Sequence, residues 1–136
     1  MAVDLPPLAQ SESLGRGVFS SRRATKAAAG KPIQHDVFLA GESISVDRLD
    51  HTTREIMTQI AEQTAQGRSK PFYGWAVVTV EAASRNRRSV RPDGVANNPY
   101  HTEIDLNLKR GDDLKDQQKQ HAQELALSAV WRERSL

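Results

Sequence analysis

The chain contains no cysteine. Disulfides, thiolate metal sites, iron–sulfur clusters and cysteine nucleophiles are therefore excluded, and the composition suits a reducing compartment. Aromatic residues are scarce, at 5% of the 136 residues, which leaves few rings for stacking on nucleobases. No apolar run approaches the roughly 20 residues of a membrane-spanning helix; the longest lies around Trp75 to Val80. The opening MAVDLPPLAQ has neither a basic nor an apolar leader region, so the expectation is a soluble, cytoplasmic protein without a secretory signal. Several catalytic signatures are also missing. There is no Walker lysine loop, no Gly-x-Ser-x-Gly elbow and no His-Glu-x-x-His, and Gly15-Arg16-Gly17 lacks the third glycine of a dinucleotide loop.

What is present suits one globular domain, with 38% apolar and 26% charged residues. Residues 1–14, with Pro6 and Pro7, read as a flexible N-terminal arm, and 15–136 as a single domain. Ser20 or Ser21 as a cap and Gly30 with Pro32 as a stop predict a short helix over 21–29. The apolar runs Val37–Ala40 and Ile44–Val46 flank Gly41-Glu42 and predict two short strands joined by a tight turn. Leu49, Ile56, Ile60 and Ala61 recur at helical spacing, with Asp47 as cap and Asp50 in the first turn, predicting a helix over 48–66. FYGWAVVTVEAA reads as a buried strand and 85–99 as a long turn region.

The cleanest local pattern is Tyr100, Thr102, Ile104, Leu106 and Leu108 alternating with His101, Glu103, Asp105 and Asn107. That period of two predicts a half-buried strand. A last helix over 112–132 turns His121 inward as a core histidine, while Trp75 and Trp131 serve as core or interface anchors. The order implies the α+β class: a small antiparallel sheet of about four strands, with two or three helices packed mainly on one face.

Charge is unevenly distributed although the net is only +2. Ser13–His35 holds Arg16, Arg22, Arg23, Lys26 and Lys31 with no acid, and Ser84–Pro92 holds Arg85, Arg87, Arg88 and Arg91 with none. Guanidinium groups grip phosphate oxygens in pairs, and neutralising several phosphates releases counterions. If the two stretches share a side of the fold, Arg85, Arg87, Arg88, Arg91, Arg16, Arg22, Arg23 and Lys26 would form a polyanion-binding surface. The function expected first is accordingly a non-catalytic module contacting RNA, DNA or an acidic protein partner, without cofactor or membrane.

A second expectation comes from the polar face of the 100–108 strand. His101, Glu103 and Asp105 project together, and with His35 they suggest a small toxin-like phosphodiesterase or nuclease. There, arginines would stabilise the phosphate, and a divalent metal would enter only in this enzymatic case. Asp47, Asp50 and His51 offer ligand chemistry too, but a helix start accounts for them more simply. A third possibility is a structural subunit of a larger assembly.

Overall fold

The computed structural model describes residues 4–135 and shows one antiparallel sheet of six strands with four helices, so the α+β class holds. The strands are β1 (Ser13–Val18), β2 (Ser43–Arg48), β3 (Gly74–Thr79), β4 (Ser89–Pro92), β5 (His101–Asp105) and β6 (Val130–Glu133). They lie in the order β4-β5-β2-β1-β3-β6, and every neighbouring pair is antiparallel. The helices are α1 (Ser21–Ala28), α2 (Arg54–Gly67), α3 (Val80–Ala83) and α4 (Leu114–Ser128).

Side chains alternate across the sheet, and both faces are used. On one face Leu14, Val18, Ile44, Val46, Ala76, Val78 and Ile104 meet Ala24 of α1 and Ala122, Leu125 and Ala126 of α4. On the other, Trp75 packs with Leu49, Phe72 and Tyr100 against Met57, Ala61 and Ala65 of α2. Helices α1, α3 and α4 thus share the first face, and α2 alone covers the second through its own apolar stripe at i, i+4 and i+8.

Three of the six strands were not expected, and they account for most of the differences. β1 carries Leu14 and Val18 inward, but its alternate positions are Gly15 and Gly17, which give no strand signal. β4 and β6 have four residues each and lie at the two edges, too short for a readable period. The expected strand over 37–40 is instead a 3-10 turn, His35–Phe38, whose Val37 and Phe38 both enter the core. α2 starts six residues later than expected: the cap is Thr53, whose hydroxyl accepts from Ile56 N at 3.2 Å. Asp47 and Arg48 belong to β2. α4 ends at Ser128, and the chain turns into β6 beside Gly74, where a side chain would meet the Trp131 ring.

Residues 4–12 run along the domain. Leu5 and Leu8 pack against the cores, and the carbonyls of Gln10 and Glu12 accept from Glu81 N and Val80 N, each at 2.9 Å. No helix among the described residues is long and apolar enough to cross a membrane.

Candidate active site

The sheet is split next to β1. The whole of β1 pairs with β3, but only Leu14 and Gly15 pair with β2. Past Gly15, the Arg16 guanidinium occupies the gap, donating from Nη1 to the Ser45 carbonyl at 2.9 Å and from Nε to the Val37 carbonyl at 3.1 Å. The split opens into a cleft of about 200 Å³ on the α2 side of the sheet. Gly15 forms its floor: a Cβ there would lie 2.8 Å from Trp75 Cδ1 and from Leu49 Cδ1. Ala61, Thr64 and Arg68 line it from α2, and Ser45, Asp47, Asn98 and His101 from the strand side.

Arg16 and Arg68 form the cationic end. Arg68 is the C-cap residue of α2, its guanidinium 5.0 Å from the centre of the Phe19 ring. No carboxylate among the described residues lies within salt-bridge distance of either arginine. Burial lowers the Arg16 pKa, and the charge of Arg68 adds to the effect. The Trp75 side chain, 1% exposed, buries an indole N–H with no acceptor among the described residues. A buried donor without a partner is uncommon, and beside it two guanidinium groups without a carboxylate partner favour an anion in the cleft.

The opposite wall carries acid–base groups. Asp47 and His101 are cross-strand partners, which brings such side chains to roughly 5 Å at Cβ. Burial raises the Asp47 carboxyl above its usual range, against the hydrogen bond from Asn98 Nδ2 at 2.7 Å and the charges of His101 and Arg16. His101 Nδ1 lies 2.9 Å from the Asp93 carbonyl oxygen. That contact requires the proton on Nδ1, and in the neutral ring it leaves the lone pair on Nε2. No hydrogen bond among the described residues engages Nε2, and the ring borders the cleft.

The residues singled out from the sequence are distributed as follows. His101, Glu103 and Asp105 do share one sheet face, but Asp105 is bound by Arg91, at 3.1 Å from Nε and 3.3 Å from Nη2. Among the described residues no three histidine or carboxylate groups converge to hold a metal ion. His35 lies on the other face, in a groove of about 560 Å³ between residues 32–36 and α4. It does not meet His101.

The basic stretches lie at opposite edges of the sheet rather than on one side. α1 packs beside β6, whereas residues 85–91 lead into β4; five strand spacings are roughly 24 Å. Most of their charges have partners nearby. Arg88 has a side chain only 1% exposed, donates to the Ala82 and Ala83 carbonyls and faces Glu124 and His121. Arg85 pairs with Glu81, and Arg22 and Arg23 with Asp36. Arg87 and Lys26 are exposed without ion pairs among the described residues.

The sequence signalled His101 through its alternation, and Arg16 only as one member of a basic stretch. It carried no signal for Arg68 or Asn98 as site residues and offered Asp47 only as a ligand that a helix start explained more simply, because the three reach the cleft from separate parts of the chain. In comparisons with protein-family models, curated proteins and solved structures, nothing matches this chain.

Proposed function

We propose that the protein is a small enzyme acting on a phosphate ester, with the phosphate held between Arg16 and Arg68 and with His101 and Asp47 as its acid–base pair. The observation that carries this is the meeting, in one cleft, of two arginines lacking carboxylate partners and a histidine whose Nδ1 is fixed by a backbone carbonyl. At about 200 Å³ the cleft is below the roughly 300–1,000 Å³ of sites that enclose drug-sized ligands. It suits one phosphoryl group and its immediate substituent.

In this mechanism His101 Nε2 takes a proton from a water molecule as its oxygen forms the new bond to phosphorus. The bond from phosphorus to the ester oxygen breaks, and that oxygen receives the proton held by Asp47. Burial suits Asp47 to the acid role, since it favours the protonated carboxyl. Arg16 and Arg68 face charge developing on the phosphoryl oxygens. The alternative of a non-catalytic polyanion binder has less support, since its arginines are divided between two edges and largely paired with carboxylates.

The test pairs phosphate binding, followed by 31P NMR, with turnover of p-nitrophenyl phosphate and bis(p-nitrophenyl) phosphate. H101A should lower kcat roughly 100- to 10,000-fold while phosphate still binds. An unmodified protein that binds no phosphate, or an H101A variant as active as the parent, would sink the proposal.

A further inference from the structure

Beside the cationic end of the cleft lies an equally unneutralised acidic end. Glu103 follows His101 on the same face of β5 and stands opposite Ser45 of β2 and Arg91 of β4. Arg91 is the natural ion-pair partner by register, but its guanidinium is drawn to Asp105 and Asp93. Glu103 is left without a cation within salt-bridge distance among the described residues. Its Oε1 takes the Ser45 hydroxyl at 3.3 Å, and its Oε2 is shielded from solvent and receives no hydrogen bond. Rotation about the terminal bond of a glutamate is soft, so either oxygen can serve a ligand without backbone movement. Asp47, two residues beyond Ser45 on the same face, likewise has no ion pair among the described residues and only the Asn98 amide as donor.

The two ends are close. Ser45 links them, its carbonyl accepting from Arg16 Nη1 and its hydroxyl donating to Glu103. Opposite charges that sense one another yet do not touch are bridged most economically by a molecule carrying both signs. The acidic end also disfavours a long polyanion, because a further phosphate beside Glu103 would be repelled.

Resting on the phosphate-ester reading above, we infer that the ligand is a compact phosphate ester bearing an ammonium group, its phosphate at Arg16 and Arg68 and its ammonium at Glu103. A divalent cation is a poorer occupant of the acidic end, since no three ligating groups converge among the described residues. An ammonium offers three donors to the under-used carboxylate oxygens.

Isothermal titration of the intact chain with inorganic phosphate, ethyl phosphate and O-phosphoethanolamine tests this. Phosphoethanolamine and ethyl phosphate differ at one end only, by the ammonium. The unmodified protein should bind phosphoethanolamine about tenfold tighter than ethyl phosphate, a gap of one decade in Kd. E103Q, which keeps the side-chain shape, should bring that ratio to about one. Equal affinities in the unmodified protein, or a preference that survives E103Q, would overturn the inference while leaving the phosphate site standing. Failure of all three anions to bind would overturn both.

Discussion

Two groups of charged residues sit within the same small sheet and are treated in opposite ways. At one end of β2, Arg48 is 2% exposed and saturated: Nη2 donates to Glu12 Oε2 at 3.0 Å and to the Pro6 carbonyl at 2.8 Å, and Nε also binds the Glu12 carboxylate. His51 completes the cluster, its Nε2 3.0 Å from Glu12 Oε1. A few residues away, Arg16, Arg68 and Asp47 border one cleft, and Glu103 stands beside it on Ser45, all without an ion pair among the described residues. The first group ties residues 6–12 to the sheet and the second group does not close on itself. Burying a charge is tolerable only when it is paired and hydrogen-bonded. The saturated group therefore belongs to stability, and the unsaturated one marks where binding energy is still available.

That contrast can be broken most decisively at Glu12. E12A leaves the Arg48 guanidinium buried without its carboxylate and should destabilise the fold by about 3–5 kcal/mol, read from denaturant midpoints. Burial alone would raise the Glu12 pKa, but the hydrogen bond and charge of Arg48, the Ala9 N–H and His51 together lower it. A lowered carboxyl contributes stability above its unfolded pKa and loses it as pH falls through the folded value. The unmodified protein should thus lose stability below the ordinary glutamate range, and E12A should lose less there.

At Arg68 the expected pattern is reversed. R68A removes an exposed guanidinium with no ion pair among the described residues, so unfolding free energy should change by no more than about 1 kcal/mol, the loss of its contact with the Phe19 ring included. Phosphate affinity should nevertheless fall by about tenfold, one decade being 1.4 kcal/mol. A loss of stability without a loss of affinity would place Arg68 with the structural group instead.

Asp47 sharpens the comparison through its sign. A carboxyl raised by burial opposes folding once ionised, because the folded state holds its proton longer than the unfolded chain. D47N keeps an acceptor for Asn98 Nδ2 and should raise Tm at neutral pH by a few degrees while turnover falls. An unchanged or lowered Tm would contradict this.

The smallest effect is expected at His121, which belongs to the saturated side. Burial first, and then the charge of Arg88, lower its pKa, and its Nδ1 lies 2.8 Å from Arg88 Nη1. A lowered histidine contributes stability that is full above its unfolded pKa, near 6.5, and declines as pH falls below it. H121N should flatten the stability profile just below that pH.

The elements differ in how far their sequences disclose them. The alternation from Tyr100 to Leu106 identifies β5 and its polar face directly, because one side is buried and the other is not. β1 gives no such sign, since its alternate positions are glycines, Gly15 letting Trp75 and Leu49 approach and Gly17 the Phe19 ring. Asp47 looks like a helix cap beside Asp50 and His51, yet Thr53 caps α2 and Asp47 stays in β2. The arginine-rich 85–91 segment is conspicuous as charge, but nothing local reveals that Arg88 is internal while Arg91 leans on Asp105.

Composition by itself removed thiol chemistry and a helical membrane span, and periodicity by itself established an α+β chain with one two-sided strand. Which charges would be neutralised was decided only in three dimensions. Arg16 and Arg68 are 52 positions apart, Asp47 and His101 54, and each pair meets only where β1 and β2 part beneath the end of α2. Electrostatic energy depends on distance through space and on exclusion of water, neither of which is written in the order of residues along the chain.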